Sequence, residues 1–217
     1  MDLKTKKVII DLGARKVTLK VVSNMDELMD RVTEAEDIPF WAELWPSALA
    51  LARWLAGGEV LEGLRVLELG AGLGLAGLAA ALCGARVVQT DYVARALALA
   101  KENAEINGAT DIEQVTADWR DFRITRQFDL ILGSDIIYEP NLHPHLTGIF
   151  GRNLRPGGQV ILADPGRQYG RQFIGDLSRQ GWLIETAEQV VAYDEKNYAI
   201  DIYRLSPPQA GIKGPDS

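Results

Sequence analysis

The side chains with the most chemistry in this chain stand just after short apolar runs. Arg65-Val66-Leu67-Glu68-Leu69 leads into Gly70-Ala71-Gly72-Leu73-Gly74, and a helical pattern starts from that glycine string. Glycine lets a backbone adopt positive φ and approach a ligand closely. The N–H groups at a helix start are donors that such a ligand can use. A second apolar run, Arg86-Val87-Val88-Gln89-Thr90, ends at Asp91. A carboxylate at that place can accept both hydroxyl protons of a ribose. The two runs therefore predict a strand–turn–helix–strand unit that holds a nucleoside-containing cofactor. Asp91 is also suited to cap a helix starting at Val93, and both roles can hold together.

The register of the glycine string bears on which cofactor. Gly72-x-Gly74-x-x-Gly77 fits the dinucleotide fingerprint, with Asp91 following at roughly the required distance. In that fingerprint the first glycine stands directly at the strand end, where a pyrophosphate docks. Here the turn opens earlier, at Gly70, and Glu68 lies at the strand end. A carboxylate there repels a pyrophosphate and suits a cofactor that carries an ammonium group. The string from Glu68 to Gly74 resembles motif I of the seven-strand methyltransferases, which bind S-adenosylmethionine and release S-adenosylhomocysteine. The resemblance implies that Glu68, Gly70, Ala71, Gly72 and Gly74 line that cofactor, with Asp91 on the ribose and Tyr92 beside the adenine.

Three further segments are similar to the same family. Ala117-Asp118-Trp119 follows a third expected strand. In the family an acidic residue here accepts the exocyclic amine of adenine, and Trp119 can stack on the purine. The plainer alternative is a capping Asp118 beside a core tryptophan. Gly133-Ser134-Asp135-Ile136-Ile137-Tyr138-Glu139-Pro140 follows a fourth run, next to the reactive methyl in this fold, and Ser134 is assigned to the cofactor. Many amine-directed members carry Asn-Pro-Pro-Tyr here, and this chain does not. Asp135-x-x-Tyr138 instead resembles a motif of a protein-lysine methyltransferase subgroup, which includes enzymes acting on the electron-transfer flavoprotein β subunit and on chaperones. The resemblance implies catalytic roles for both residues, the carboxylate for a cationic amine and the hydroxyl to orient it. Otherwise Asp135 caps a turn and Tyr138 packs. Within Trp41-Ala-Glu-Leu-Trp45-Pro46-Ser47, the subgroup implies that Trp45 borders the cofactor pocket, while Trp41 reads equally well as core.

The elements that must position these residues follow from pattern. Strands are expected near 65–69, 86–90, 112–116, 128–133 and 158–163, with helices near 74–83, 92–107, 142–153 and 168–180. Short apolar strands alternating with helices predict an α/β fold, a Rossmann-like, mostly parallel sheet covered on both faces. Trp182–Val191 and Tyr198–Leu205 are β-like with no helix between, so they should pair antiparallel and complete a seven-stranded sheet. The residues 193–197 would connect them. Ahead of this, Val8–Asp11 and Lys16–Val22 predict a small β-hairpin, and Asn24 a cap for a short helix over Met25–Val32. Glu34-Ala35-Glu36-Asp37 reads as an acidic connector, and Pro46 as the first turn of a helix ended by Gly57-Gly58. The organisation expected is an extension over 1–37, a methyltransferase domain over 38–205, and a disordered Pro- and Gly-rich tail over 206–217.

Composition sets the outer limits. The 217 residues suit one ordinary domain with a substantial core. A net charge of −7 offers no basic footprint, which argues against wholesale nucleic-acid binding. No apolar stretch reaches membrane-spanning length, so no membrane partner is expected. The single cysteine, Cys83, allows no disulfide within the chain and fits a reducing, cytoplasmic setting. His143 and His145 have no thiol cluster beside them, and no metal site is expected. The function expected is S-adenosylmethionine-dependent N-methylation of a lysine on a protein substrate. A small-molecule amine methyltransferase is the rival within that class. A nicotinamide-dependent oxidoreductase or a non-catalytic cofactor-binding module are the rivals outside it.

Overall fold

The computed structural model describes residues 3–30, 32–33, 38–109 and 111–208. The expected acidic connector at 34–37 and residues 209–217 of the expected 206–217 tail lie outside the described residues, while Ser206 belongs to the last strand. The main sheet has seven strands: β3 (Arg65–Leu69), β4 (Arg86–Asp91), β5 (Glu113–Thr116), β6 (Phe128–Ser134), β7 (Leu154–Asp164), β8 (Leu183–Tyr193) and β9 (Lys196–Ser206). Their order is β5-β4-β3-β6-β7-β9-β8. The pairs from β5 through β7 are parallel, and β9 is antiparallel to both β7 and β8. This is the Rossmann-like sheet with a C-terminal antiparallel hairpin that the alternation of elements predicts.

Helices cover both faces, which is why β3 and β6 read as nearly unbroken apolar runs. Successive side chains of a strand point to opposite faces. Val66, Leu130 and Leu132 therefore pack in one layer with α2 (Pro46–Ala56), α3 (Leu75–Leu82) and α4 (Ala94–Ile106). Leu67, Leu69 and Ile131 pack in the other with α5 (His143–Asn153) and α6 (Gln168–Arg179). The chain leaves β3 toward β4 on one side and reaches β6 on the other, so the order reverses between β3 and β6. Open α/β sheets bind ligands outside the carboxyl ends of their strands at such a switch point. The ends of β3, β4, β6 and β7 set Gly70, Asp91, Asp135 and Asp164 along that one rim.

The N-terminal hairpin, β1 (Thr5–Asp11) and β2 (Lys16–Val22), forms a separate two-stranded sheet. An open strand edge leaves backbone donors and acceptors unpaired. Asn103 on α4 and Asn107, the residue that caps its C-terminus, fill that role for β2. Asn107 accepts from Thr18 N–H at 2.9 Å and donates to its carbonyl at 2.7 Å. Asn103 does the same for Lys20 at 2.7 and 3.2 Å, and also donates to the Leu73 carbonyl at 3.0 Å. The hairpin is thereby tied to the glycine string itself. Asn24 stands before α1 (Met25–Met29) as expected, but its side chain makes no cap bond. Its oxygen accepts the Lys4 N–H at 3.2 Å instead.

Several boundaries differ from expectation: β1 begins at Thr5 rather than Val8, and α1 ends at Met29 rather than Val32. β7 begins at Leu154 and takes in Pro156-Gly157, with a shift of register opposite Phe128 and Leu130. The β8–β9 connector shrinks to Asp194 and Glu195, whose φ values of 48° and 60° are both left-handed. Two positive φ angles match a tight turn to the twist of its strands, a geometry usually signalled by Asn-Gly.

Candidate active site

The glycine string makes a sharp turn at the end of β3, with φ of 66° at Gly70, 51° at Gly72 and 79° at Gly74. A Cβ at Gly70 would stand 3.0 Å from the Ile136 side chain and 3.1 Å from the Trp119 ring. A Cβ at Gly72 would stand 3.3 Å from the Trp41 carbonyl oxygen. The turn thus threads between the β6 loop and the 40–42 segment, both of which carry side chains of the rim.

Glu68 points beneath this turn. It is 3% exposed and accepts the Gly77 N–H at 3.0 Å and the Gln89 amide at 2.8 Å. Gln89 also donates to the Gly74 carbonyl at 3.0 Å, so Glu68 and Gln89 brace the turn against α3. The expected ammonium partner therefore spends its hydrogen bonds inside the protein. Burial pushes its carboxyl from 4.5 up to about 7, against the pull of Gln89 and Gly77. A raised folded-state pKa means that the folded chain holds the proton more tightly than the unfolded chain. The associated stability is complete below about pH 4.5 and is lost as pH rises through about 7, to a ceiling of roughly 3 kcal/mol. Urea unfolding of the cofactor-free protein should show the midpoint falling across that window. Glu68→Gln should flatten the fall, leaving the remainder due to other buried acids. An unchanged slope in the variant would return the dependence to those acids alone.

Asp91 is 5% exposed at the end of β4. Its two carboxylate oxygens accept the Gly72 N–H at 3.0 Å and the Val93 N–H at 2.9 Å. It therefore clasps the glycine string and caps the start of α4 together. Burial raises its carboxyl, while the Val93, Gly72 and Tyr92 N–H groups lower it. Tyr92 beside it is 60% exposed. Asp118 is half-open to solvent and pairs with Arg120 through both carboxylate oxygens, at 2.8 to 3.0 Å. That pairing holds its carboxyl below the ordinary range. Trp119 lies against Gly70, half-buried, with its ring turned to the turn.

Ser134 ends β6 and Asp135 begins the loop after it. Asp135 has φ 55°, a left-handed conformation that costs a non-glycine residue about 1 kcal/mol or more and concentrates at functional sites. Its N–H donates to the Ala163 carbonyl at 2.9 Å, fixing the loop to β7. Its carboxylate, 9% exposed, accepts a hydrogen bond from the Arg167 guanidinium. Arg167 Nη1 also donates to Asp164 at 3.1 Å, and Asp164 accepts the Arg167 N–H at 2.8 Å. Ser47, on the first turn of α2, is close enough to lower the Asp135 carboxyl. Even so, Ser47 Oγ and Asp135 Oδ2 are both sealed from solvent without a well-aligned partner. Burial is the largest influence on Asp135 and pushes it up, with Arg167 and Ser47 opposing.

Tyr138 stands at the mouth, 43% exposed, its ring 6.5 Å from Phe40, which is 6.1 Å from Trp45. Trp45 Nε1 donates to the Phe40 carbonyl at 2.9 Å, which fixes this aromatic group. Burial, Tyr92, Glu139 and Asp91 raise the Tyr138 hydroxyl, so it stays protonated at neutral pH and can donate. The expected residues Trp45, Gly70, Asp91, Tyr92, Trp119, Asp135 and Tyr138 thus gather on one rim. Sequence reasoning missed Arg167, Asp164, Ser47 and Phe40. Asp164 had a signal, since it ends a strand on the rim; Arg167 had none, because it reaches Asp135 from a different connection.

Acidic and aromatic side chains on one rim suit a cation-bearing nucleoside better than a pyrophosphate. Among the described residues no group of acids, histidines and cysteines can hold a metal ion. No helix among them is long and apolar enough to cross a membrane.

Residues 23–180 match the family described as lysine methyltransferase. The electron transfer flavoprotein beta subunit lysine methyltransferase of Danio rerio is 37% identical over 135 residues, covering 59% of this chain and 51% of that protein. The histone-arginine methyltransferase METTL23 of Mus musculus is 33% identical over 117 residues, covering 51% and 46%. The protein N-lysine methyltransferase METTL21A of Danio rerio is 35% identical over 173 residues, covering 75% and 76%. The chain thus spans about half the length of the first two relatives and three quarters of the third. In fold it is similar to a ribosomal protein L11 methylase from Lactobacillus delbrueckii subsp. bulgaricus. That likeness has a TM-score of 0.60 at 23% identity, over 93% of this chain and 99% of the other. With the family matched across both the glycine turn and the Asp135 loop, the chain belongs to the lysine methyltransferase family.

Proposed function

We propose that this chain transfers the methyl group of S-adenosylmethionine to the ε-amine of a lysine on a protein substrate. One observation carries the reading: a strained, nearly buried Asp135 and a half-exposed Tyr138 share the loop after β6, at the switch point whose other side is the glycine turn. The donor set fits the cofactor. Asp91 would hold the ribose, Asp118 and Trp119 the adenine, and Trp45 and Tyr92 the flanks. Glu68 would keep the turn in shape from beneath, and Ser134 and Ala71 would meet the cofactor through their place on the rim. When bound, the cofactor supplies an electrophilic methyl on a sulfonium.

The chain's own residues then have to deliver a neutral amine. A lysine amine has a reference pKa near 10.4, so only about one in two thousand is neutral near pH 7. The aromatic mouth of Phe40, Trp45 and Tyr138 can desolvate the lysine stem and favour the neutral form. Asp135 would accept from the amine and Tyr138 would orient it, which is catalysis by positioning. A planar guanidinium is best matched by two free oxygens of one carboxylate. Asp135 has one oxygen engaged by Arg167, which favours a lysine over an arginine acceptor. A single cysteine and the absence of any internal disulfide support work in the reducing cytoplasm.

The test uses a cofactor with a deuterated methyl, incubated with cell lysate and the purified chain. Acid hydrolysis and mass spectrometry should find the label on lysine. Label only in the small-molecule fraction would move the acceptor out of proteins, and label on arginine would favour the METTL23-like reading. In parallel, S-adenosylhomocysteine should raise the melting temperature and NAD should not. At a hundred-fold excess over Kd the stabilisation is roughly 2.7 kcal/mol. A shift with NAD and none with the thioether would sink the cofactor assignment.

A further inference from the structure

Asp135 poses an electrostatic problem. A lone carboxylate beside an amine raises the amine's pKa and holds it protonated, which is the unreactive form. The structure contains the compensating charge. Arg167 is the cation on Asp135, and it sits between two acids, the other being Asp164, which is fully buried. Asp164 holds Arg167 twice, through its backbone N–H and its guanidinium, so the guanidinium is aimed rather than merely nearby. The one nitrogen Nη1 bridges Asp135 and Asp164, and the Arg167 backbone N–H adds a second bond to Asp164.

We infer that Arg167 is a positioning residue for methyl transfer: its guanidinium, anchored on Asp164, cancels the field of Asp135 at the incoming amine. Asp135 can then accept a hydrogen bond from a neutral amine without stabilising the ammonium. The inference rests on the reading of this rim as an amine-methylating site. The titratable and polar groups around Asp135 and Tyr138 come from several elements. The α2 helix brings Ser47, the β7–α6 connection brings Asp164 and Arg167, and the loop itself brings Tyr138 and Glu139. The end of β4 brings Asp91 and Tyr92 against Tyr138, and β9 brings Asp201 and Tyr203 behind Asp164. Among these groups the acids outnumber Arg167, which makes that one guanidinium decisive for the field at the amine. Arg171 lies close to Gly166 and Asp201 and acts on Tyr203, and it is not among the groups that act on Asp135.

The test compares two cofactor analogues that need no substrate. S-adenosylhomocysteine is neutral at sulfur. Sinefungin carries an amine-bearing carbon in place of the methylated sulfur, so its ammonium probes the field at the transfer point. Kd is measured by calorimetry for both, in the parent and in Arg167→Gln and Arg167→Lys. Arg167→Gln should tighten sinefungin relative to the thioether by about ten-fold, or ~1.4 kcal/mol. Arg167→Lys keeps the charge and should stay near the parental ratio. If Arg167→Gln does not fold, the double variant Asp135→Asn/Arg167→Gln removes both partners and is compared with Asp135→Asn alone. The double variant should then bind sinefungin about ten-fold tighter than the single one. Equal shifts for both analogues, or no shift in the ratio, would make Arg167 a structural brace and overturn the inference. With methyl transfer to lysate proteins as the readout, Arg167→Gln should move the acid limb of the pH–rate profile up by about one unit and recover rate at high pH. A parental chain that labels no lysine would count against the function proposed above, while the analogue ratios would still decide the role of Arg167.

Discussion

Asp135→Asn is expected to lower methyl transfer by roughly a hundred-fold or more, the scale on which a small misplacement of a reactant is felt. Asparagine keeps the size of the side chain and an oxygen for Arg167, so the loop should hold its shape. Asn also tolerates the left-handed backbone that Asp135 adopts at φ 55°. What is lost is the charge that accepts from the amine. Arg167 is then left as a cation beside the acceptor nitrogen, paired with Asp164. Affinity for S-adenosylhomocysteine, neutral at sulfur, should stay nearly unchanged. Tyr138→Phe should cost less, because it removes one hydroxyl and keeps the ring's packing on Phe40. Each variant needs two measurements, thioether affinity and label incorporated into lysate proteins. Parental incorporation by Asp135→Asn would remove the main support for a lysine acceptor, and a small-molecule amine would become the better reading. The family and the fold would stand.

How much of this site could be read in advance depended on whether the signal was local. The glycine string, Asp91, Asp118-Trp119 and Asp135-x-x-Tyr138 each sit at or just after the end of a strand, so strand ends alone brought them to one rim. The direction of Glu68 was readable in principle. It alternates with Leu67 and Leu69, which face α5 and α6, so it faces the α3 layer with Val66. Reading it by its position at the strand end, rather than by its face, put it toward the ligand. Asp118 is held by Arg120, two residues away, a pairing that spacing alone does not distinguish from an open carboxylate. Arg167 lies 32 residues from Asp135 and meets it only because β7 pairs with β6. The tight β8–β9 turn was hidden for a different reason, since Asp194-Glu195 carries no glycine or asparagine to announce two left-handed residues.

Asp91→Ala is expected to weaken cofactor binding by about 2–4 kcal/mol, the range for a pair of charge-assisted hydrogen bonds removed from a site. The geometry adds a second consequence that a simple ribose contact would lack. Both oxygens of Asp91 are already used within the chain, one on the Gly72 N–H and one on the Val93 N–H. A carboxylate oxygen has two lone pairs, so these bonds leave room for hydroxyl donors on the same atoms. Alanine removes the acceptors and leaves two donors, one on the glycine string and one at the start of α4, without their partner. That should lower the stability of the free chain by about 1–3 kcal/mol, or a few degrees in Tm for a domain of this size. The two losses can be separated. Calorimetry of S-adenosylhomocysteine well below the melting temperature reads binding, and urea unfolding without ligand reads the turn. Asp91→Glu should fail as a rescue, because the longer side chain cannot reach both N–H groups from the same strand end. Lower stability with parental affinity would make Asp91 a clasp for the glycine string and a cap for α4, and the ribose would have to be held by another group. Lower affinity with parental stability would mean the reverse, that the clasp adds nothing to the folded chain and the carboxylate serves the ligand alone. Both losses together are what one buried carboxylate shared between turn, helix and ribose requires.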